Sequence, residues 1–271
     1  MSLCITSLNS GSNGNCYYVG NEQEAVLIDA GLSCRQTEIR LQRLGLSIGR
    51  VKAIFVSHEH TDHISGITYL ARKYQLPVFI TPRTLKQSRL PSDGFPVFPF
   101  FGYEPVWIGE LCVTAFPKSH DAADPHSFLI SCRGTTVGVF TDIGELCQPL
   151  IDHFGQCHAA FLEANYDEQL LENGRYPAFL KQRIRGGKGH LSNQQALVLF
   201  RAHRPDFMSH VVLSHLSKEN NCPQLLSRLF QPHTNGTELI IASRSQETPV
   251  FRITAPRHQD QPEIHGHNQR V

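Results

Sequence analysis

The chain has 271 residues, of which 40% are hydrophobic, and carries a formal net charge of +1. This length and composition suffice for one large domain with a substantial core, and no linker, repeat or low-complexity block divides the chain. A charge so near zero excludes a global field that recruits nucleic acid, so any polyanion must be bound by a local basic surface. No apolar run is long enough to span a membrane.

The eight cysteines are dispersed along the chain and form no C-x-x-C pair. The N-terminal segment lacks the basic and apolar regions of an export signal. We therefore expect reduced thiols in or near the core of a cytoplasmic protein.

Apolar runs and turn residues, taken in chain order, predict strands and helices that alternate along most of the chain. The predicted strands span residues 3–5, 16–19, 25–28, 53–56, 76–80, 106–108, 111–116, 127–131, 135–140, 159–162, 210–213, 238–242 and 250–253. The predicted helices span residues 38–46, 64–74, 144–154, 196–203 and 223–230. Residues 85–102 have no assignable pattern. The alternation predicts an α/β domain over residues 1–253 with a sheet core, followed by a disordered tail over residues 254–271.

The turn between the first two predicted strands is rich in Gly, Asn and Ser. Successive amides in such a turn can form a nest that binds an anion. An ordinary hairpin turn is the alternative. The candidate substrate-binding residues of this turn are Ser10, Ser12, Asn13 and Asn15.

The predicted strand over residues 53–56 leads into a loop of residues 57–63, here called the histidine loop. Its candidate metal ligands are His58, His60, Asp62 and His63. Imidazole and carboxylate are ligands that divalent zinc, manganese and iron accept, whereas the same groups buried without partners cost free energy. The H-x-H-x-D-H pattern therefore predicts a metal site rather than a polar loop that is rich in histidine by chance.

Four later strands end in a residue type that binds metal or transfers protons. These residues are His120, Asp142, Glu163 and His215. Functional residues of layered α/β folds collect at the carboxyl ends of strands, so we expect them to lie near the histidine loop. Asp29 also ends a strand, and we interpret it as a structural acceptor that orients a loop. His126, which opens a strand, is interpreted as a surface histidine.

These motifs make the chain similar to the metallo-β-lactamase fold superfamily and, within it, to the WalJ/YycJ/VicX-like nucleases, over residues 1–253. The motifs are S-G-S-x-G-N, H-x-H-x-D-H, H-D-A-x-D-P, Y-P-x-x-L-K-x-R-I, G-H-L-S-N and H-L-S-K-E-N-N. The resemblance implies a four-layer αββα sandwich. The segment between Asp142 and His215 is too short for the large inserted domain of the β-CASP nucleases.

The resemblance also implies a site for two divalent metal ions, which we expect to be zinc or manganese, with iron as a further candidate. The ligands of the first are His58, His60 and His120. The ligands of the second are Asp62, His63 and His215. Asp142 is implied as the bridge between the two ions, and Asp62, Glu163 and His190 are the candidate catalytic residues.

Glu163 and His190 form the candidate pair for proton donation, because hydrolysis of a phosphodiester leaves an alkoxide that needs a proton. His190 lies just before a capping-box pattern made by Ser192 and Gln195, so it is expected near a helix N-terminus, where a phosphate is favoured. A loop histidine and a capping glutamate are the alternative. The pair resembles the Glu and His that flank the metals in transfer RNA processing enzymes of this fold.

A basic segment lies between Glu163 and His190 in the sequence. Its candidate substrate-binding residues are Lys181, Arg183, Arg185 and Lys188, with Tyr176 and Phe179 interleaved. Cations can follow a phosphate backbone, and aromatic rings can stack on bases. A solvated basic helix is the alternative, and the position of the segment between the two candidate catalytic residues favours the functional interpretation.

We therefore expect a dinuclear-metal phosphodiesterase that acts on nucleic acid, DNA in preference to RNA, without membrane association. The resemblance implies a DNA exonuclease that works from the 5′ end, with a link to repair. An RNA-processing endonuclease, a thioester or lactone hydrolase and a non-catalytic metal-binding regulator are the alternatives. The basic segment disfavours the small-molecule hydrolase, and the candidate proton donor disfavours the regulator. The sequence leaves the oligomeric state open.

Overall fold

The computed structural model describes residues 2–91 and 93–255, and these contain two seven-stranded sheets flanked by α-helices. The strands are β1 (Leu3–Asn9), β2 (Cys16–Gly20), β3 (Ala25–Ile28), β4 (Val51–Phe55), β5 (Val78–Phe79), β6 (Val97–Phe98), β7 (Pro105–Ile108), β8 (Leu111–Pro117), β9 (His126–Cys132), β10 (Thr135–Phe140), β11 (Ala159–Glu163), β12 (His210–Ser214), β13 (Glu238–Ile241) and β14 (Phe251–Ile253).

The helices within the described residues differ in length from one turn to three. They are α1 (Cys34–Arg43), α2 (Thr61–Ile64), α3 (Ile67–Tyr74), α4 (Pro82–Ser88), α5 (Gln148–Phe154), α6 (Glu168–Asn173), α7 (Ala178–Arg185), α8 (Asn193–His203) and α9 (Pro223–Phe230). Short 3₁₀ segments occupy Ile48–Arg50 and Gln231–His233. Across the described part of the chain, no helix is both long and apolar enough to cross a lipid bilayer.

The two sheets have similar topologies. The first has the strand order β14-β1-β2-β3-β4-β5-β6, and the second has the order β13-β12-β11-β10-β9-β8-β7. In each sheet an antiparallel set continues into a parallel set, from β3 to β6 in the first and from β10 to β13 in the second. The carboxyl ends of the parallel strands in each sheet therefore lie at a single edge, where functional loops can meet.

An apolar core fills the space between the facing sheets. The ring of Tyr17 lies 4.9 Å from that of Phe161, and the ring of Phe55 lies 5.9 Å from that of Phe128, between centroids in both cases. A second apolar cluster packs α5, α8 and α9 against one sheet, and a third packs α1 and α3 against the other. Both faces of each sheet are thus buried, as near-continuous apolar strands require. The predicted four-layer αββα sandwich is confirmed.

Two parts of the predicted secondary structure are wrong. Residues 85–102 are not wholly irregular, because they include most of α4 and all of β6; Thr81 caps α4 by accepting a hydrogen bond from the Thr84 amide, a helix-start signal that precedes a proline. The predicted helix over residues 64–74 is broken at Gly66. A Cβ atom there would lie 1.7 Å from the Leu32 carbonyl oxygen, so the backbone between α2 and α3 packs directly on that of a neighbouring loop.

His126 is not a surface histidine, which corrects the prediction. Its side chain is buried, with Nδ1 bonded to the Asp124 carbonyl oxygen at 2.9 Å and the ring edge-on to Phe100. Its amide donates to the Ser57 carbonyl oxygen at 3.0 Å, so β9 helps to hold the histidine loop.

All eight cysteines are free thiols, as expected. Residues 256–271, which make up nearly all of the predicted tail, lie outside the described residues.

Candidate metal centre and catalytic cleft

A cleft of about 380 Å³ opens at the edge where loops from the carboxyl ends of strands in both sheets meet. The candidate site residues that line it are Ser12, His60, Asp62, His120, Asp142, Arg183, His190 and His215. The first sheet contributes the turn after β1 and the histidine loop after β4. The second contributes the loops after β8, β10 and β12. The fold therefore brings residues from distant parts of the sequence to a single cavity.

The histidine loop is held from below by Asp29, which has a left-handed backbone at the end of β3 with φ of 61°. Its buried carboxylate accepts hydrogen bonds from the Ser57 amide at 2.8 Å and the Ser57 hydroxyl at 2.7 Å. It also accepts from His63 Nδ1 at 2.7 Å, which leaves Nε2 of that ring directed at the cleft. The predicted structural role of Asp29 is thus confirmed.

The first ligand group consists of three imidazoles that converge. His58 Nε2 lies 3.0 Å from His60 Nδ1, and that atom lies 3.4 Å from His120 Nε2. His120 Nδ1 donates to the Gly189 carbonyl oxygen at 3.0 Å, which fixes its ring and leaves Nε2 for the site. The three nitrogens lie within 4.8 Å of one another, a separation suited to a shared metal ion.

The second ligand group combines Asp62, His63 and His215, again with ligand atoms within 4.8 Å of one another. Asp142 lies between the groups: its Oδ2 is 3.2 Å from His63 Nε2, and its Oδ1 is 3.9 Å from His120 Nε2. It also forms a separate cluster with His58 and His63. The carboxylate of Asp142 therefore lies beside ligand atoms of both groups.

The donor set fits divalent metal ions. Asp142 Oδ2 and His215 Nε2 are buried and have no hydrogen-bond partner among the described residues, an arrangement that costs free energy unless another group is bound. Burial raises the pKa of Asp142, but the neighbouring His215 and His63 outweigh burial and hold its pKa well below the usual range. The carboxylate of Asp142 is therefore ionised.

Glu163 ends β11 and is fully buried. Its Oε2 accepts from the amides of Ile143 at 2.7 Å and Leu191 at 3.2 Å, while its Oε1 faces Nδ1 of His190 at 2.8 Å and of His215 at 2.9 Å. Burial opposes ionisation of Glu163, but the charge and hydrogen bonds of these histidines outweigh it and lower the pKa to about 2. Four N–H partners leave Glu163 no free lone pair of good geometry for a metal, although its atoms lie close to Asp142.

His190 is held by this carboxylate at the wall of the cleft. Because Nδ1 faces Glu163, Nε2 is the nitrogen left for a bound substrate, and the side chain is 22% exposed. The ring lies 5.3 Å from that of His120 and 5.2 Å from that of His215, between centroids. The capping box of Ser192 and Gln195 at the start of α8 is present as expected.

The turn of residues 10–15 divides into two parts. Ser10 and Asn15 are buried: the Ser10 hydroxyl accepts from the His215 amide at 2.7 Å, and the Asn15 amide group donates to Asp62 Oδ2 at 3.0 Å. These contacts make both residues supports of the metal ligands, which argues against the predicted direct contact with substrate. Ser12 and Asn13 are exposed, and Ser12 lines the cleft.

The basic segment forms α7 and the loop after it, and its four cations have different surroundings. Arg183 lines the cleft and pairs with Asp121 at 2.6 Å, beside His120. Arg185 pairs with Glu172 at 3.0 Å, and Lys181 donates to the Glu172 carbonyl oxygen. Arg183 is thus the member of the four that borders the cleft.

Lys118 and Asn165 are among the residues of the site that the sequence does not identify. Lys118 is buried, donates from Nζ to the Thr141 carbonyl oxygen at 2.6 Å and has its pKa lowered by burial, so it places a cation beneath the carboxylates. Asn165 donates to the His215 carbonyl oxygen at 2.7 Å and supports that loop. The sequence does not indicate that Lys118 belongs to the site, because lysine side chains are usually exposed. Asn165 lies two residues after Glu163, and its position after a buried strand is the feature of the sequence that could have indicated its role.

Comparison with known proteins gives concordant results. Residues 10–137 match the family model described as the metallo-beta-lactamase superfamily. The chain is similar to exodeoxyribonuclease YycJ of Bacillus anthracis, with 35% identity over 83% of this chain and 86% of that protein. It is 30% identical to exodeoxyribonuclease WalJ of Streptococcus pneumoniae, over 80% of this chain and 83% of that protein. The metallo-beta-lactamase fold protein YhfI from Bacillus subtilis superposes with a TM-score of 0.71 at 14% identity, over 93% of this chain and 100% of that one, which shows a shared fold.

Proposed function

The chain belongs to the metallo-beta-lactamase superfamily and, within it, to the family of the YycJ and WalJ exodeoxyribonucleases, and from this premise we propose that it hydrolyses phosphodiester bonds at the ends of DNA. The observation that carries the proposal is the convergence, in one cleft, of two ligand groups, a histidine oriented by a carboxylate and an arginine. A metal-dependent hydrolase needs the ligand groups and the oriented histidine. A polyanionic substrate requires a cation such as the arginine.

In this proposal the two ligand groups described above, together with Asp142, would hold two divalent ions. When bound, such ions supply a nucleophile at neutral pH and stabilise the charge that develops on a phosphodiester. The nitrogen and oxygen donors suit zinc or manganese. The contribution of the chain is to keep the ligands in place before substrate arrives, through Asp29, Asn15 and Ser57.

His190 is proposed as the general acid. Glu163 accepts a hydrogen bond from Nδ1 and fixes the orientation of the ring, so Nε2 is the atom that donates a proton to the departing alkoxide oxygen. The pKa of Glu163, about 2, keeps this carboxylate ionised at neutral pH, as a partner of a cationic imidazole must be.

Arg183 is proposed to bind a backbone phosphate, since a guanidinium fork matches phosphate oxygens. Phe179 lies one helical turn before it on α7 and is 75% exposed, so its ring is available to stack on a base. We propose DNA as the substrate because the two relatives are named exodeoxyribonucleases. We propose cleavage from the 5′ end, with a role linked to repair, because the resemblance to the WalJ/YycJ/VicX-like nucleases implies it.

The proposal is tested with purified protein reconstituted with zinc or manganese and given DNA and RNA strands, single and double, labelled at either end. We expect the 5′ label on DNA to appear at once in a mononucleotide or short product, while the 3′-labelled strand shortens progressively. Discrete internal fragments, or faster cleavage of RNA than of DNA, would contradict the proposal and favour an RNA-processing endonuclease. Matched reactions with chelator establish that the cleavage depends on metal.

A further inference from the structure

Arg244 lies in the loop between β13 and β14, beside the exposed half of the turn that follows β1. Its Nη1 is 3.2 Å from the Ser12 hydroxyl and 3.5 Å from the carbonyl oxygen of Leu216, the residue after a metal ligand candidate. Ser12 itself lines the cleft. The guanidinium therefore lies at the rim of the cleft on the side of His215, whereas Arg183 lies on the side of His60 and Asp121.

The guanidinium of Arg244 has donors to spare. Within residues 2–91 and 93–255, its protein hydrogen bonds all come from Nη1, and no carboxylate pairs with it. The edge formed by Nε and Nη2 thus remains open, and this edge makes bidentate contacts with phosphate. The amides of Ser12 and Asn13 also lack protein acceptors within the described chain, and they lie in the turn between Gly11 and Gly14, which have φ of 136° and 145°. Such a turn exposes successive amides to an anion.

Arg244 and the turn are fixed to each other and to the metal centre. The Asn13 amide group donates to the Arg244 carbonyl oxygen at 2.7 Å, and the Ser10 amide donates to the Ser243 carbonyl oxygen at 3.1 Å. The Ser10 hydroxyl accepts from the His215 amide. Gly11 lets the side chain approach, since a Cβ atom there would lie 3.0 Å from Arg244 Cγ. These contacts fix the position of the Arg244 guanidinium relative to the candidate metal ligands.

Arg40 anchors the same loop from the opposite side. It is buried on α1, donates from Nη1 to the Leu8 carbonyl oxygen and the Asn9 side chain, and donates from Nη2 to the Ser245 carbonyl oxygen at 3.0 Å. A buried arginine that bonds two chain segments holds both in one arrangement. The rim is therefore preorganised rather than assembled by the substrate, which lowers the cost of binding.

We propose that Arg244, with the Ser12 hydroxyl and the amides of the turn, binds the phosphate next to the one that is cleaved, and so forms a subsite for the second phosphate of a nucleic acid. This inference rests on the proposed function, because it concerns how the same cleft recognises its substrate. Arg244 is then a substrate-binding residue that lets the enzyme prefer a substrate with two neighbouring phosphates over one with a single phosphodiester.

The inference is tested with three dinucleotides: one with hydroxyl groups at both ends, one with a 5′ phosphate and one with a 3′ phosphate. For wild-type protein, one phosphorylated form should have a kcat/KM roughly tenfold or more above that of the unphosphorylated form, the effect of hydrogen bonds to a charged group. R244Q should reduce that ratio to less than about twofold, and R244K should give an intermediate ratio because it keeps the charge without the fork.

The control is R252Q, which changes an exposed arginine of β14 that pairs with Glu22. It should keep the wild-type ratio, and metal content is measured for every variant. A full phosphate preference in R244Q with intact metal would overturn the inference. So would hydrolysis of all three dinucleotides by wild-type protein at one rate, although the proposed function would then stand. Failure of wild-type protein to hydrolyse any DNA would instead remove the proposed function.

Discussion

Glu163 shows how one buried side chain can organise both the chemistry and the ligands of the site. Its two oxygens receive four N–H groups, two from the backbone and two from His190 and His215. It therefore fixes the rotation of the candidate proton donor and of a candidate metal ligand at once. A carboxylate held in this way keeps its negative charge in a fixed position, so the site does not have to reorganise around that charge during the reaction.

Replacing His190 with alanine tests whether it donates the proton. We expect turnover on DNA to fall roughly 10²- to 10⁴-fold, the usual contribution of a general acid, while metal content is unchanged. The loss should shrink on a nitrophenyl phosphodiester, whose leaving group departs without a proton. Glu163→Gln should show the same dependence with a smaller loss. Turnover of both substrates is measured with metal analysis of the same samples.

Equal losses on good and poor leaving groups would place His190 in substrate binding instead. Loss of metal from His190→Ala would place it among the supports of the ligands. Either result would remove the general-acid assignment.

The sequence was most informative about residues whose type is rare outside functional sites. Three histidines and an aspartate in the histidine loop predict a metal site, and the structure places all four in candidate ligand groups at the cleft, which His60 and Asp62 line. The sequence predicts Ser10 and Asn15 as substrate contacts, because the presence of hydrogen-bonding groups does not show which way a side chain points. Their burial results from the tertiary packing of β1 and the histidine loop, which the local sequence does not show. Arg244 gave no signal, since its role depends on a turn more than two hundred residues away in sequence.

At the scale of elements, helix α7 shows why a basic segment is an uncertain guide. Helical geometry turns Arg183 to the cleft and leaves Lys181 and Arg185 near Glu172. Composition predicted a basic surface, but the direction of each side chain follows from how α7 packs. The broken helix α2–α3 has a similar origin, because the close approach of Leu32 to Gly66 is a tertiary contact. The helical spacing of apolar residues continues through Gly66, so the sequence pattern does not show the break.

Arg183→Gln should raise the KM for DNA by roughly tenfold and flatten the salt dependence of binding, since each lost phosphate contact removes about 0.7–0.9 from the log–log slope. Neutralising Lys181, Arg185 and Lys188 together should have a smaller effect on KM, because these residues do not line the cleft. Kinetics at several salt concentrations measure both quantities, and Arg201→Gln, which changes an exposed side chain of α8, is the control.

Hydrolysis of the nitrophenyl phosphodiester is followed in the same variants. If Arg183→Gln lowers the rates on DNA and on the small ester equally, then Arg183 acts through Asp121 and the first ligand group. The assignment to backbone binding would then be wrong.

At the scale of the whole molecule, the αββα sandwich supplies rigidity and the paired sheet edges supply the site. Four carboxylates, those of Asp29, Asp62, Asp142 and Glu163, are collected in one region, and Lys118 is the buried ammonium placed against them. Asp62, like Asp142, has its pKa lowered by the histidines despite partial burial. Such a cluster of negative charge is costly in a folded protein unless cations bind.

Metal should therefore stabilise the fold. At a free metal concentration about 1,000 times Kd, binding to the native state adds about 4 kcal/mol to the free energy of unfolding, which corresponds to a rise in Tm on the order of 10 °C. Thermal unfolding of metal-free protein with and without added zinc or manganese measures the shift. Asp142→Ala should show a smaller rise, because it lacks the carboxylate between the two groups. An unchanged Tm for wild-type protein would show that the cluster does not bind the ions.

The central claim is that the clustered ligands form a dinuclear centre that hydrolyses DNA. Its most direct test is a titration of metal-free protein with zinc or manganese, in which bound metal per chain is determined by mass spectrometry and DNA hydrolysis is measured at each point. The account predicts that activity rises until two equivalents are bound and that Asp142→Ala neither binds the second equivalent nor gains activity. Full activity with fewer than one bound equivalent would contradict it.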